Sequence, residues 1–292
     1  MLARINDASI FFDVASSAFA VEAGGLVEKP TIIALHGGLG FDHGYLRPGL
    51  CELADIAQVI FIDLRGNGRS ERVALDTCTL EQMADDVASF CKQLRIERPI
   101  VFGHSAGSFV ALHMALRHPG QLGGLIICDG SPTVAPIQEE DGDPGPTLAS
   151  RGSDAALAIA SRVFSGEITE ETMSLFMRDL TPFYVAPSNA SIMQEILSLT
   201  SLDIPMMQHF MQVVAPAYDL RSQLDTIEVP ALVIVGRHDW VCPPSAARFM
   251  ARSMRNARLI EFENSGHFPF AEEPLKFFST VQGFLNELTG GQ

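Results

Sequence analysis

The sequence predicts an α/β fold in which helices cover both faces of a mostly parallel sheet. Short β-branched apolar runs alternate with stretches of helical periodicity along most of the chain. Strands that are apolar on both faces and separated by helices are typical of a parallel sheet buried between two helical layers. A glycine-bounded turn that joins one of these strands directly to a helix supports the same architecture.

The predicted elements follow one another in a regular order toward both ends of the chain. Strands are predicted at 31–35, 59–63, 100–103, 125–128, 232–236 and 258–262, and helices at 80–94, 108–117, 244–254 and 274–287. The alternation breaks in the middle, where an acidic Pro/Gly-rich run at 138–146 predicts a loop and Met- and Phe-rich helical patterns follow. We therefore predict a core domain formed by 1–132 and 223–292, with a helical cap inserted at 133–222.

Composition predicts a globular protein and limits the classes of partner that it can bind. The chain has 292 residues, of which 47% are hydrophobic, and this is enough for a sizeable core. A formal net charge of -15 produces a field that repels phosphate, so we expect neither nucleic acid nor a membrane surface as a partner. The candidate assembly is a homodimer.

Cysteine usage and the N-terminal segment predict a cytoplasmic protein. The five cysteines form no C-x-x-C pair and no zinc-like spacing with histidine, so we expect reduced thiols. The segment 1–12 carries Arg4 and Asp7 and lacks the apolar core of a signal peptide or a membrane helix.

The run Gly103-His104-Ser105-Ala106-Gly107 fits G-x-S-x-G and follows the apolar strand predicted at 100–103. In a nucleophile elbow, the chain reverses sharply between a strand and a helix around a serine in strained geometry. A side chain at either outer glycine would clash in such a turn. The context therefore predicts that Ser105 is a nucleophile.

A serine hydroxyl needs a base to take its proton, and His267 is the candidate. It lies between the last predicted strand and the last predicted helix, where a loop can reach over the carboxyl edge of the sheet. Of the other histidines, His36 and His104 are expected to support turns. Three more, His113, His118 and His209, are expected to be packed or solvated on helices.

Two aspartates are candidates for the carboxylate that orients the base. Asp239 follows the strand predicted at 232–236, and Asp129 follows the strand predicted at 125–128. We favour Asp239 because it gives the chain order serine, aspartate, histidine and because the loops after the last two strands adjoin. Asp63 and Arg65 are expected to anchor a glycine-rich turn.

The remaining parts of the site are predicted from neighbouring backbone and from composition. The backbone N–H groups of Ala106 and Gly38 are the candidate oxyanion donors, because one follows the nucleophile and the other lies after the first core strand. No nucleotide-binding or metal-binding motif is present, so we expect no cofactor and no metal. The candidate apolar substrate pocket consists of Met206, Met207, Phe210 and Met211.

With these residues in hand, the chain resembles the α/β-hydrolase superfamily, and most closely its proline-iminopeptidase-like branch. The resemblance rests on four segments: His36-Gly-Gly-Leu-Gly40, Asp63-Leu-Arg-Gly-Asn-Gly-Arg-Ser70, Gly236-Arg-His-Asp239 and Ser265-Gly-His267. It implies the α/β-hydrolase fold with an inserted cap and a triad of Ser105, His267 and Asp239. The iminopeptidase Asn-Glu-Phe segment, whose carboxylate holds the substrate amine, is not found; Gln208-His-Phe210 is the nearest run.

The leading interpretation is a serine hydrolase that cleaves a small carboxylic ester, lactone or amide through an acyl-enzyme on Ser105. The alternative within the same fold is a proline iminopeptidase. A receptor or scaffold without catalysis is a third hypothesis, because a fold does not by itself grant a function.

Overall fold

The computed structural model describes residues 1–138 and 145–290. The acidic part of the predicted loop, 139–144, lies outside the described residues. The strands are β1 (Leu2–Ile5), β2 (Ala8–Val14), β3 (Phe19–Glu22), β4 (Gly25–Glu28), β5 (Thr31–Leu35), β6 (Gln58–Ile62), β7 (Ile100–His104), β8 (Gly124–Cys128), β9 (Ala231–Gly236) and β10 (Ala257–Phe262). All six predicted strands are confirmed, with ends displaced by at most one residue.

Within the described residues, one sheet contains eight of these strands in the order β1-β2-β6-β5-β7-β8-β9-β10. The pairings from β6 to β10 are parallel, whereas β2 pairs antiparallel with β1 and with β6. The sequence interpretation missed β1 and β2, and it also missed the separate antiparallel pair β3 and β4. In β2, alternate residues are buried, which is the pattern of a strand with one covered face rather than two.

The helices cover the sheet and also fill the middle of the chain. They are α1 (Arg47–Cys51), α2 (Leu80–Gln93), α3 (Ala106–Arg117), α4 (Leu148–Arg151), α5 (Asp154–Phe164), α6 (Glu170–Leu175), α7 (Ile192–Ser198), α8 (Ile204–His209), α9 (Pro244–Ser253), α10 (Pro269–Glu272) and α11 (Pro274–Thr289). The four predicted helices are confirmed as α2, α3, α9 and α11. Helix α3 begins two residues earlier than predicted, because it starts directly after Ser105.

Two apolar cores lie on opposite faces of the sheet. In β5, Ile33 and Leu35 belong to one core, and Ile32 and Ala34 belong to the other. Helices α2 and α3 pack on the first face and α11 on the second. Both faces of the parallel strands are therefore covered, as their continuous apolar character predicts. None of the helices in the described parts of the chain is long and apolar enough to cross a bilayer.

Residues 133–222, which the sequence predicts as an inserted cap and which we call the inserted segment, lie between β8 and β9. Their described part contains α4 to α8 joined by short 3₁₀ and π turns. Its backbone is tied to the loops of the sheet. Asp203 N donates to Gly40 O at 2.7 Å, and His267 N donates to Tyr184 O at 2.6 Å. The inserted segment therefore lies against the carboxyl edge of the sheet, where the predicted site residues are.

The glycine-rich turn after β6 is anchored by Asp63, as expected. Asp63 is fully buried and accepts from the backbone N–H groups of His43 and Arg69. Arg65 also anchors this turn, as expected. Its guanidinium bonds Asp86 of α2 at 2.6 Å and Asp7 at 2.5 Å, so it ties the turn to a helix and to the first hairpin.

Candidate active site

Ser105 occupies the strained turn that the sequence predicts. Its backbone has φ 53° and ψ -126°, in the left-handed region of φ that favours glycine, and it lies between β7 and α3. A Cβ on Gly103 would lie 2.6 Å from the Ser108 Cα, and one on Gly107 would lie 2.6 Å from the His36 carbonyl oxygen. Both glycines are therefore required by backbone that passes close to the turn.

Hydrogen bonds hold this strained backbone on both sides. Ser105 N donates to Cys128 O at 3.0 Å, and Ser105 O accepts from both the backbone N–H and the hydroxyl of Ser108. A non-glycine residue with positive φ costs on the order of 1–3 kcal/mol and persists only where its surroundings fix it. The strand end and the first turn of α3 fix it here.

The structure brings His267 and Asp239 into direct contact. His267 Nδ1 lies 2.7 Å from Asp239 Oδ2. The other carboxylate oxygen of Asp239 accepts from the backbone N–H groups of Val241 and Cys242, at 2.8 and 3.2 Å. Asp239 is fully buried and His267 is 3% exposed. A carboxylate held in this way fixes the imidazole ring with Nδ1 protonated and leaves Nε2 free to act as a base.

Ser105 and His267 line the same cavity. The part of the chain that the structure describes shows no hydrogen bond between the Ser105 hydroxyl and the imidazole. Catalytic hydrogen bonds are often long without substrate and tighten when the complex forms. The absence of this bond therefore does not exclude His267 as the base of Ser105.

Asp129, the rival carboxyl group, is held elsewhere. It is fully buried at the end of β8 with φ 46°, and its Oδ1 accepts from Gly236 N at 2.9 Å. Its Oδ2 accepts from the Cys128 thiol at 3.2 Å. Burial and the negative charge of Asp239 raise the pKa of Asp129 well above its usual range, which favours the neutral acid. Among the described hydrogen bonds, it is Asp239 that reaches His267.

Two backbone amides stand where the oxyanion donors are predicted. Gly38, with φ 54°, and Ala106, the first residue of α3, both line the cavity. In the described structure neither N–H has a hydrogen-bond partner. Gly37 is excluded as a donor, because its N–H is bonded to the Tyr45 hydroxyl at 2.7 Å. A Cβ on Gly37 would lie 2.5 Å from Ser105 Cβ, so this loop needs glycine to approach the nucleophile so closely.

The cavity over Ser105 is large and mostly apolar. Its volume is about 1240 Å³, and Met207, Phe210 and Met211 line it, as predicted. Met206 does not line it, and this expectation is corrected. The Met206 side chain is fully buried on another side of α8, where a Cβ on Gly66 would lie 3.5 Å from its sulfur. Helical spacing alone does not say which of two adjacent methionines faces the substrate.

Further apolar side chains of the inserted segment were not predicted to line the cavity. These are Val163, Phe164, Met173, Phe176, Tyr184, Met193, Ile196 and Leu197. They were missed because an apolar residue on a short helix gives the same signal whether it faces a core or a ligand. Trp240, directly after Asp239, carried a findable signal as the single tryptophan of the chain, beside the predicted acid.

The described cavity lining contains neither aspartate nor glutamate, and neither lysine nor arginine. Three carboxylates of the inserted segment that could have bound an amine lie elsewhere. Glu195 is exposed, Asp203 caps α8 and pairs with Arg72 at 2.9 Å, and Asp219 pairs with Arg221 at 2.5 Å. The described lining therefore provides no charge to pair with a charged substrate group.

One group of described residues could offer ligands to a metal ion. Asp239, Cys242 and His267 place one ligand atom each within 4.8 Å of one another. The carboxylate and the imidazole are already bonded to each other, so a cation here would compete with the hydrogen bond that orients the base. Burial and the charge of Asp239 raise the pKa of Cys242 well above its usual range, which favours a neutral thiol.

Known proteins resemble this chain over most of its length. A family model described as "alpha/beta hydrolase fold" matches residues 30–274. A protein from Caulobacter sp. (strain K31) named as a carbamate hydrolase is 28% identical over 268 residues, which are 91% of this chain and 94% of that protein. A proline iminopeptidase from Saccharolobus solfataricus is 26% identical over an alignment of 283 residues, and the match covers 88% of this chain and 85% of that protein.

Solved structures show the same architecture. A thermophilic esterase from Thermogutta terrifontis, solved with malate bound, superposes with a TM-score of 0.76 and is 22% identical. The superposition covers 99% of this chain and 99% of that chain. This likeness confirms the fold that the sequence predicts.

Proposed function

The chain belongs to the α/β-hydrolase fold family, and from that premise we propose that it is a serine hydrolase with Ser105 as nucleophile, His267 as base and Asp239 as the orienting carboxylate. One observation carries this proposal. A strained serine, an imidazole bonded to a buried carboxylate and two amide N–H groups without partners in the described structure belong to residues that line one cavity. These are the groups that acyl transfer through a serine requires.

In the proposed reaction, His267 Nε2 takes the proton of the Ser105 hydroxyl as its oxygen attacks the substrate carbonyl carbon. Negative charge moves to the carbonyl oxygen, where the N–H groups of Gly38 and Ala106 stabilise it. His267 then gives its proton to the leaving alcohol or amine, and the acyl group stays on Ser105. Water, activated by the same imidazole, hydrolyses this acyl-enzyme. Asp239 stabilises the imidazolium that forms in both halves.

We further propose that the substrate is a neutral ester or lactone with a substantial apolar part. A cavity of about 1240 Å³ without charged side chains in its described lining favours such a molecule, because an unpaired charge there costs several kcal/mol. The thermophilic esterase that shares this fold acts, by its name, on this class of substrate. The thioethers of Met207 and Met211 would adapt to irregular apolar groups.

Proline iminopeptidase activity is the second candidate, because a named relative has it. Such an enzyme binds the free amine of its substrate, so acetylation of that amine should remove most activity. We expect proline p-nitroanilide and its N-acetylated form to differ by less than about tenfold in kcat/KM. A preference for the free amine above about 100-fold, roughly 2.7 kcal/mol, would favour the iminopeptidase instead.

A fluorophosphonate probe tests the proposed chemistry directly, since it reacts with activated serines. We expect stoichiometric labelling of the wild-type protein, with the adduct on Ser105 by peptide mass spectrometry, and no labelling of Ser105→Ala. A protein that does not react with the probe, yet is folded, would support the receptor or scaffold hypothesis.

We also propose that the protein is cytoplasmic and forms a homodimer. All five cysteines are free thiols, and free thiols are typical of a reducing compartment. The sedimentation behaviour of the purified protein would test the dimer.

A further inference from the structure

A chain of buried hydrogen bonds joins the loop of the candidate oxyanion donor to the loop of the base. Gly37 N donates to the Tyr45 hydroxyl oxygen at 2.7 Å. The same hydroxyl lies 2.7 Å from His104 Nδ1, and His104 Nε2 lies 2.7 Å from the His267 carbonyl oxygen. His104 itself directly precedes the nucleophile. This hydrogen-bond network thus connects the loop of the oxyanion donor, the residue before the nucleophile and the loop of the base.

The two ends of this network fix the directions of its outer bonds. The Gly37 amide can only donate, so the Tyr45 oxygen accepts there and its hydrogen is free to point at His104 Nδ1. The His267 carbonyl can only accept, so His104 Nε2 carries the hydrogen. In a neutral imidazole, Nδ1 then has no hydrogen and accepts from the Tyr45 hydroxyl. Burial and the neighbouring His267 hold the pKa of His104 well below its usual range, in agreement with the neutral form.

An apolar core could be packed here without the Tyr45 hydroxyl or the His104 imidazole. The His104 ring is 1% exposed and packs against Phe268 and Phe270, with ring centroids 5.3 and 5.2 Å away. Tyr45 is 6% exposed. A buried hydroxyl and a buried imidazole are costly unless every donor and acceptor is paired, and a fully paired network makes its surroundings rigid.

We infer that Tyr45 and His104 are positioning residues for the proposed reaction, an inference that rests on the proposed function. The bond to the Tyr45 hydroxyl sets the orientation of the Gly37 backbone. The next backbone amide in the sequence is that of Gly38, the candidate oxyanion donor. The bond from His104 holds the His267 carbonyl and with it the base loop. One network thereby fixes the oxyanion donor and the base relative to Ser105, and its loss lowers the rate of acyl transfer rather than substrate binding.

Tyr45→Phe is the first test, because it removes both bonds of the hydroxyl and leaves the ring in place. We expect kcat for a p-nitrophenyl ester to fall about 10- to 100-fold while KM stays within about threefold. The rate of labelling by a fluorophosphonate should fall in parallel. Tyr218→Phe is the matched control: Tyr218 is 4% exposed and its hydroxyl donates to Ser131 O at 2.8 Å, outside this network. We expect the control to keep kcat within about threefold.

His104 provides a second test that does not depend on Tyr45→Phe folding. His104→Gln keeps an N–H that can reach the His267 carbonyl, whereas His104→Leu fills a similar volume without a donor. We expect the glutamine variant to retain about tenfold more kcat than the leucine variant, at equal KM. In the double variant Tyr45→Phe, His104→Leu, the loss should be close to that of the worse single variant, because both break one network.

Several outcomes would overturn the inference. These are a kcat for Tyr45→Phe within about threefold of wild type, an effect on KM alone, or an equal loss of kcat in Tyr218→Phe, which would indicate general destabilisation. Ser105→Ala separates this failure from failure of the proposed function. If Ser105→Ala is inactive and Tyr45→Phe is not impaired, only the positioning role is wrong. If Ser105→Ala remains active, the proposed function is wrong first.

Discussion

The loops at the carboxyl edge of the sheet and the inserted segment that faces them differ in the chemistry of their side chains. On the sheet side, hydrogen bonds to neighbouring backbone hold Ser105, and Asp239 is bonded both to His267 and to backbone N–H groups of its own loop. On the other side, methionine, phenylalanine and aliphatic side chains dominate the wall of the cavity. Directional bonds fix atoms within tenths of an ångström, whereas apolar contacts tolerate changes of shape. The first side suits chemistry and the second suits selection of the substrate.

The largest expected effect comes from the nucleophile. Ser105→Ala should lower kcat by on the order of 10⁴-fold or more, because members of a catalytic unit act together. Adding His267→Ala to this variant should change little further. Steady-state hydrolysis of a p-nitrophenyl ester measures both, with circular dichroism to show that the variants are folded. Residual activity above about a tenth would place the nucleophile elsewhere.

The two buried aspartates give the next comparison, within the sheet side. Asp239→Asn should lower kcat by about 10³- to 10⁴-fold, because the NH2 group of asparagine would replace Oδ2 and donate to His267 Nδ1, which favours the wrong tautomer. Asp129→Asn should cost less than about tenfold, because its partners are Gly236 N and the Cys128 thiol. A reversal of this order in kcat would transfer the orienting role to Asp129.

A smaller effect is expected from the apolar side. Phe210 lines the cavity and lies beside Phe109 of α3, with ring centroids 6.4 Å apart. Phe210→Ala should lower kcat/KM by about tenfold for esters with long or bulky acyl groups, while acetyl esters change little. Phe164→Ala is the control, since that side chain also lines the cavity but is half exposed. We expect this variant to lose less kcat/KM for the same esters than Phe210→Ala. Equal losses for acetyl and long-chain esters would mean that this segment positions the catalytic groups rather than the acyl chain.

A still smaller effect concerns stability and pH. The pKa of Asp129 is higher in the folded protein than in the unfolded chain. Its favourable contribution to the free energy of unfolding is therefore complete below about pH 4, and it is lost as the pH rises through the raised pKa. The amide introduced by Asp129→Asn mimics the neutral acid and cannot ionise. The Tm of this variant relative to wild type should therefore increase between about pH 5 and pH 9, by about 2–4 °C for each kcal/mol. A constant Tm difference across this range would show that Asp129 does not titrate there.

Metal removal should leave activity unchanged, because the proposed steps use only side chains and backbone amides of this chain. Overnight dialysis against EDTA, followed by the standard ester assay, measures this. Activity that EDTA abolishes and that added Zn²⁺ restores would contradict the metal-free mechanism.

Local steric limits and the order of residues along the chain are enough to predict the turn at Ser105, the parallel sheet and the residues at its carboxyl edge. Gly103 and Gly107 predict the turn around Ser105, because a Cβ at either would strike backbone that must pass there. The apolar runs of the six core strands predict the parallel sheet, and a parallel sheet brings the residues after its strands to one edge. Asp239 and His267 are predictable as partners for that reason.

Long-range packing settles which side chains share a space across distant parts of the chain. The sequence does not say that Tyr45 reaches His104, since 59 residues separate them and nothing local requires the bond. It also does not say that Met207 faces the cavity while Met206 faces the Gly66 turn. A helix fixes the angle between adjacent side chains but not the rotation of the helix about its axis. That rotation is set by packing against the loops of the sheet, which no local pattern contains.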